Sequence, residues 1–241
     1  MTQIRAIVSV TLRGLLGRRR FLLMLLLAAL PVIVGLAIRL GGGRSDAAEI
    51  LDSLAIRTVL PLIALVVGTA AIGSEVEDGT LVYLLTKPIA RWRIAGSKLL
   101  VASVVGATLV VPPVLVTGLL IGGLGDDGPA VAAGFAIATL AGCIAYASVF
   151  TALGALTTRA LVIGLAYTLI WEGALAGLLA GTRFLSIRQA TLGLAAALTG
   201  ADTGVDPLEP GISLTIIVVA TVGAFLLATM ALSRFEVRSA D

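Results

Sequence analysis

The chain has 241 residues, of which 59% are hydrophobic and 13% are charged, and its formal net charge is +3. Soluble domains are about half apolar and about a quarter charged, so this composition excludes an ordinary soluble protein and predicts an integral membrane protein. The sequence has no His and a single Cys, Cys143. These counts exclude His-based metal or acid–base sites and disulfides within the chain.

The first apolar residues recur at helical spacing among five Arg residues, which predicts a basic amphipathic helix over residues 1–20, lying on the membrane surface. An apolar helix of about 20 residues can cross a hydrocarbon core of about 30 Å. By this criterion the sequence predicts an all-α membrane protein, a single transmembrane domain over 1–241. Its six predicted spans cover about 21–38, 57–73, 98–122, 129–156, 160–181 and 212–232. The longer connections are a polar loop over 39–56, a charged segment over 74–97, and an outer segment over 182–211 whose first part has the length of a short interfacial helix.

The distribution of basic residues predicts the orientation. Six spans place both termini on one side, and basic residues prefer the cytoplasmic side. Most of the 17 basic residues lie in the N-terminal helix, the segment 74–97 with Lys98 at its membrane edge, the turn 157–159 and the C-terminal tail. We therefore expect these parts in the cytoplasm. The excess of Arg over Lys, together with abundant Ala and Gly, is typical of GC-rich bacterial genomes, so the predicted location is a bacterial cell membrane.

The charged segment combines features of a short helix at the membrane surface. Ser74 and Glu77 form the S-x-x-E pattern of a capping box, which predicts a helix start with acidic residues in the first turn. Pro88 is expected to end this helix, and Arg91 and Lys98 are expected at the level of the lipid head groups. The residues alone leave open that this is only a solvated interfacial loop.

The ordered sequence E-x-G-T-L-x-x-L-L-[ST]-x-P-[IV]-x-R-x-x-[IL]-x-x-x-K resembles the cytoplasmic segment of ABC-2 type transporter permeases. The matching residues are Glu77, Gly79, Thr80, Leu81, Leu84, Leu85, Thr86, Pro88, Ile89, Arg91, Ile94 and Lys98. The segment lies between the second and third predicted spans, as in that family. Six spans, a basic N-terminal helix and an outer segment before the last span also fit the resemblance.

The resemblance implies the membrane subunit of an ATP-driven exporter for a hydrophobic or amphipathic substrate. The segment 74–97 would be the coupling helix that docks on a separate ABC ATPase subunit, which would bind ATP and Mg²⁺, and two permease copies, identical or paralogous, would assemble in the lipid membrane. The residues expected to couple the two subunits are Glu75, Glu77, Gly79, Thr80, Leu84, Pro88, Arg91 and Lys98. The sequence contains no G-x-x-x-x-G-K-[ST] phosphate-binding loop, so no ATPase site and no cofactor are expected in this chain.

Glu172 is the one acidic residue well inside a predicted span. An ionised side chain at mid-bilayer costs about 2.5–3.5 kcal/mol on insertion scales, so this residue should face the bundle interior, a cavity or a basic partner. One interpretation places Glu172 on the exit side of the translocation path, as a gate, a substrate contact or a proton relay. The other gives it a structural ion pair with Arg183 or Arg188.

The sequence gives less support to two other functional classes. A proton-coupled secondary transporter would use Glu172 as its carrier, but a single acid and no evident inverted repeat give it little support. An intramembrane enzyme is disfavoured because the spans hold no dyad, paired Asp–Gly or metal-ligand cluster. Nucleic-acid binding is not expected, since the basic residues follow the predicted membrane edge and form no folded basic domain.

Overall fold

The structure is a computed structural model that describes residues 18–41, 46–77, 90–125, 128–176, 180–201 and 207–238. Within these residues the regular structure is entirely helical. The α-helices are α1 (Arg18–Leu40), α2 (Ala47–Ile50), α3 (Leu60–Glu77), α4 (Arg91–Gly122), α5 (Gly128–Leu156), α6 (Ala160–Ala166), α7 (Ile187–Thr199) and α8 (Pro210–Arg238). A π-helical segment, π1 (Leu51–Val59), joins α2 to α3, and a second, π2 (Tyr167–Leu175), extends α6; a 3-10 helix, Ala180–Leu185, precedes α7.

Five of the described helical stretches are long and apolar enough to cross a membrane. They are Phe21–Leu40, Ala47–Gly73, Arg91–Gly122, Gly128–Leu156 and Pro210–Arg234. A sixth apolar stretch, Ala160–Leu175, is shorter. The chain is therefore a multi-pass helical membrane protein, with the fifth predicted span below full membrane-crossing length in the described residues.

Helix α5 is the centre of the bundle and packs against α3, α4, α7 and α8. Its most apolar window is 61% buried, whereas the corresponding windows of α1 and α8 are 22% buried, which places those two helices at the periphery. The α5 core contains Phe135, Tyr146 and Phe150, all fully buried, and the rings of the last two stack with centroids 5.9 Å apart. The interior is thus assembled around one small-residue helix.

Glycines allow the other helices to approach α5 closely. A Cβ at Gly154 would lie 2.9 Å from the backbone oxygen of Thr69, so α3 contacts α5 through its main chain at this point. A Cβ at Gly142 would overlap Oγ1 of Thr191, which lies on α7. Small residues at such contacts let membrane helices pack without a gap. These glycines serve packing within one chain.

The predicted second span begins too late. Residues 47–56 belong to a helix that runs without interruption from Ala47 to Glu77, so the polar loop predicted over 39–56 is wrong for this part. Asp46 caps the helix by accepting a hydrogen bond from the Ala48 N–H at 2.9 Å. Most of π1 is buried, including Asp52, which is 9% exposed. Glu49 and Asp52 are therefore residues of a helix and do not mark a loop.

The outer segment predicted over 182–211 also contains more structure than expected. Helix α7 is there, and its first half, residues 187–193, is buried in the bundle, where α7 packs against α5 and α8. Ser186 caps its N-terminus, and Gly200, at a φ of +66°, ends it by donating its N–H to Ala196. Pro210 occupies the first position of α8, where its missing N–H has no cost.

The spans predicted over 21–38, 129–156 and 212–232 lie within α1, α5 and α8, whereas the stretch predicted over 160–181 is described as the shorter Ala160–Leu175. Helix α4 begins at Arg91 and not near residue 98. The predicted amphipathic helix falls on residues 1–17, which lie outside the described residues, while residues 18–20 are the first turn of α1. Residues 78–89, the middle of the predicted coupling segment, also lie outside them.

Candidate functional site

Polar residues meet at two opposite ends of the bundle. At the first, which we term the Lys98 end, α3 finishes, α4 begins, and a short turn joins α5 to α6. At the second, the Arg188 end, π1, π2 and the start of α7 come together. The described members of the predicted coupling set belong to the Lys98 end, and Glu172 belongs to the Arg188 end.

The best-defined contact at the Lys98 end is a buried ion pair between α3 and α4. Nζ of Lys98 lies 2.6 Å from Oε1 of Glu75 and donates a second hydrogen bond, of 2.8 Å, to the backbone oxygen of Ala71. The Lys98 side chain is 0% exposed and that of Glu75 is 20% exposed. The Lys98 ammonium therefore lies inside the bundle and not on its surface, and Glu75 offsets the cost of its burial.

The local reading of the S-x-x-E pattern is also wrong. Residues 74–77 are the last residues of α3 and do not begin a new helix. The apolar run from Leu60 simply continues through Ser74 into the acidic residues. The acidic group of Glu75 consequently projects from the end of a spanning helix, which is why it can reach Lys98 on α4.

Arg91, the other described residue of the predicted coupling set, is the first residue of α4 and is half-buried. Its neighbours Trp92 and Arg93 are exposed, and the guanidinium carbon of Arg93 lies 5.2 Å from the centre of the Trp92 ring. The face of a Trp ring attracts a cation, and Trp is enriched where helices meet a membrane surface. The structure thus brings Glu75 and Lys98 together and places Arg91 two helical turns before Lys98.

The other members of the predicted coupling set fall outside what the structure describes. Gly79, Thr80, Leu84 and Pro88 lie in residues 78–89, and Glu77 is described only as the last residue of α3. The geometry of the predicted coupling helix therefore stays a prediction. The structure does describe the two helices that flank this segment, with α3 ending at Glu77 and α4 beginning at Arg91.

An apolar cavity of about 300 Å³ lies beside the Lys98 end. It is bordered by the first turns of α1, the last turns of α3 and the start of α6. Its walls are mainly aliphatic and include Leu23, Leu27 and Leu161, while the hydroxyl residues Thr157 and Thr158 lie at the connection between α5 and α6. The cavity can hold the apolar part of a ligand with its polar part close to the end of the bundle.

At the Arg188 end, Glu172 is 2% exposed and its carboxylate accepts three hydrogen bonds. Oε1 accepts from the Tyr167 hydroxyl at 2.8 Å and from the Ile187 N–H at 3.0 Å, and Oε2 accepts from the Ser186 hydroxyl at 2.5 Å. Two of these donors form the N-terminus of α7, where a negative charge is favoured. The interpretation of Glu172 as the ion-pair partner of Arg188 is wrong, because Arg188 binds another acid.

That acid is Asp52, a residue that the sequence analysis did not select. Nη2 of Arg188 lies 3.1 Å from Oδ1 and 3.0 Å from Oδ2 of Asp52, and both residues are buried. A second contact joins the same regions, since Arg57 of π1 donates a hydrogen bond to the backbone oxygen of Gly173 in π2 at 3.2 Å. Hydrogen bonds and an ion pair thus connect π1, π2 and α7. Among the described residues, no group of three or more Cys, Asp or Glu side chains is placed to hold a metal ion.

Comparison with known protein families identifies the family of the chain. A search of curated proteins gave no match. The family model described as ABC-2 family transporter protein matches residues 12–161, more than half of the chain. The match begins in the N-terminal residues, ends at the second residue of α6 and includes the whole segment 74–98, whereas π2, α7 and α8 lie beyond it. The chain belongs to the ABC-2 transporter family and is a membrane permease component of an ABC transporter, without an ATPase site of its own.

Proposed function

We propose that this permease exports a hydrophobic or amphipathic substrate by alternating access, driven by a separate ABC ATPase subunit that binds ATP and Mg²⁺. Two permease copies and two ATPase subunits form the working unit in a bacterial cell membrane, with both permease termini in the cytoplasm. The segment 74–97 receives the movement of the ATPase and passes it to the membrane helices.

The arrangement of α3 and α4 carries this proposal. Both are apolar helices of membrane-spanning length, they pack against each other, and both lead directly into residues 78–89. These residues lie inside the region that matches the family. A force applied to so short a connection acts on two spanning helices at once, without a flexible linker in the described part of α3 or α4. This is the geometry that a passive, externally driven membrane subunit needs.

The cavity beside the Lys98 end supports the substrate class. Its aliphatic walls favour a hydrocarbon group, since burying apolar area is favourable by about 25 cal/mol per Å², and its threonine hydroxyls can hydrogen-bond a polar group. We propose that the apolar part of the substrate enters here from the inner leaflet. Glu172 belongs to the exit side of the path in this proposal, where it holds the N-terminus of α7.

Co-purification with the ATPase subunit tests the proposal. An ABC ATPase encoded beside this chain should co-purify with it from detergent, and its ATP hydrolysis should change on binding the permease. The charge reversals Glu77→Lys and Arg91→Glu should weaken this binding or separate hydrolysis from transport while membrane insertion is retained. Glu209→Lys, an exposed acid at the Arg188 end, is the matched control and should behave as wild type. Equal behaviour of all three variants would contradict the proposed role of the segment 74–97.

A further inference from the structure

We propose that the Glu75–Lys98 ion pair makes α3 and α4 move as one unit when the connection between them is displaced. Glu75 and Lys98 are then positioning residues for coupling and not contact residues for the ATPase. This inference rests on the proposed function, and it assigns to two members of the predicted coupling set a role inside the membrane subunit.

The burial of Lys98 excludes a direct contact with a partner protein in this conformation. Its side chain is 0% exposed, and its two described acceptors, Glu75 and the backbone oxygen of Ala71, both belong to the last turns of α3. Lys98 therefore reaches from the second turn of α4 across to α3 and holds two points there, four residues apart. A contact of this kind resists both separation of the two helices and sliding of one along the other.

The surroundings of the pair make it costly to break. Ile72 on α3 and Ile94 and Ala95 on α4 are each 0% exposed and belong to one apolar cluster at this end. The cluster is completed by residues of α5 and α8, among them Ala152 and Leu232. Separating the charges would leave an unpaired ammonium in apolar surroundings, which is far more costly than in water. The ion pair therefore stays closed while the two helices move.

The position of the pair also suits this role. Glu75 lies three residues before the undescribed segment 78–89, and Lys98 lies nine residues after it. The two residues thus join the helices close to the point where the ATPase is proposed to act. Oε2 of Glu75 is buried without a hydrogen-bond partner among the described residues, so the bond to Lys98 is the main one that orients this carboxylate.

A double variant separates coupling from stability. The substitution pair Glu75→Gln/Lys98→Met removes both charges and keeps the side-chain sizes, and replacing a whole buried ion pair by neutral residues is often harmless to stability. We therefore expect this variant to fold and to bind the ATPase as wild type. The exchange Glu75→Lys/Lys98→Glu keeps a pair of opposite charges and should restore the coupling. Arg93→Gln, which removes an exposed cation on the first turn of α4, is the control.

The readout is a distance at the opposite end of the bundle. Spin labels at Val116 on α4 and Leu198 on α7, which are 44% and 47% exposed, report on the Arg188 end. In the complete complex, ATP with vanadate should shift the distribution of distances between the two labels in the wild type and in Arg93→Gln. In the double variant the shifted fraction should fall by about tenfold, within the range of coupling between distant sites, in complexes that contain the same amount of bound ATPase.

The outcomes separate the two proposals. A double variant that binds the ATPase and shifts as fully as wild type overturns the role of the ion pair and leaves the proposed function intact. An exchange variant that folds but does not recover the shift also overturns it. If wild type itself neither binds an ATPase nor shifts with nucleotide, the proposed function fails and this inference fails with it.

Discussion

Asp52 and Arg188 are 136 positions apart in the sequence, and their side chains form an ion pair inside the bundle, with Nη2 3.0 Å from Oδ2. The pair joins π1 to α7, and Glu172 joins π2 to the same helix. Two π-helical segments therefore meet at one polar cluster at the Arg188 end. π-Helical turns are rare in proteins, and those that occur are often found at functional sites. Here they place Asp52 and Glu172 beside α7.

Removing one partner of the Asp52–Arg188 pair should destabilise the protein strongly. Asp52→Asn leaves the Arg188 charge buried and uncompensated, so we expect the free energy of unfolding to fall by about 3–5 kcal/mol. The double variant Asp52→Asn/Arg188→Met should recover most of this loss. Unfolding in mixed detergent micelles measures the effect. Glu49 is an exposed acid three residues earlier, and Glu49→Gln should change the free energy of unfolding by less than about 0.5 kcal/mol. If Asp52→Asn lowered the free energy of unfolding no more than Glu49→Gln does, the result would contradict the buried Asp52–Arg188 pair.

Glu172→Gln tests the attachment of α7. The amide nitrogen of glutamine cannot accept the hydrogen bond from the Ser186 hydroxyl, so one buried donor loses its partner, at a cost of about 1–3 kcal/mol. We expect faster amide hydrogen exchange at Ile187 and Gln189, and a smaller effect for Tyr167→Phe, which removes one donor and leaves the other two. Protection at the start of α7 that is unchanged in Glu172→Gln would show that the carboxylate does not hold this helix.

The same variant tests the proposed place of Glu172 on the exit side. If Glu172 acts only by holding α7, Ser186→Ala should lower substrate-stimulated ATPase activity of the complex as much as Glu172→Gln does. If the carboxylate also takes part in translocation, Glu172→Gln should have the larger effect at equal stability. Unchanged transport and unchanged ATPase activity in Glu172→Gln would remove Glu172 from the translocation path.

Filling the apolar cavity should impair transport. Leu161→Trp places a bulky side chain at the cavity wall, so we expect a lower apparent affinity for amphipathic substrates, measured as the concentration that half-stimulates ATP hydrolysis. Val162→Trp is the matched control, because Val162 is the next residue of α6, is 65% exposed and does not line the cavity. Equal affinities for the two variants would argue against substrate entry at this cavity.

The close contact between α3 and α5 gives a further prediction. In Gly154→Ala the new Cβ would lie 2.9 Å from the Thr69 backbone oxygen, and the main chain must shift to accept it. We expect a loss of about 1–3 kcal/mol in the free energy of unfolding. Gly223→Ala on α8 is the control, since nothing lies within 4 Å of its added Cβ. That variant should be neutral or slightly stabilising, because glycine weakens a helix by about 0.5–1 kcal/mol relative to alanine. If the two substitutions had equal effects, α3 and α5 would not be in main-chain contact.

Hydropathy and helix signals in the sequence were sufficient for most of the fold. The predicted span over 129–156 matches α5, and those over 21–38 and 212–232 match α1 and α8, because each is a long run with few charged residues. The second span begins earlier than predicted, because the acids Asp46, Glu49 and Asp52 give residues 39–56 the composition of a polar loop. A local signal was present: Asp46 followed by Glu49 is the start pattern of a helix, and Asp46 does cap α2.

The candidate site was predicted less well than the fold. The burial of Glu172 followed from its position in an apolar run, and the structure agrees. The hydrogen-bond partners of Glu172 could not be predicted in the same way. The Ser186 hydroxyl and the Ile187 N–H are uncharged, so no charge pattern in the sequence points to them. The predicted place of Lys98, at the membrane edge after Arg91, gave no indication that its side chain is buried in the bundle. Only the fold reveals that Glu75 is close enough to stabilise its ammonium inside the bundle.

The central claim is that this permease is moved by energy that another protein supplies. Vesicles containing the chain and its ATPase, and vesicles containing the chain alone, should be compared for uptake of a fluorescent amphipathic dye, with ATP or with an imposed proton gradient. The account predicts uphill transport only with the ATPase and ATP, insensitive to uncouplers. Uphill transport by the chain alone, driven by a proton gradient and abolished by Glu172→Gln, would contradict it.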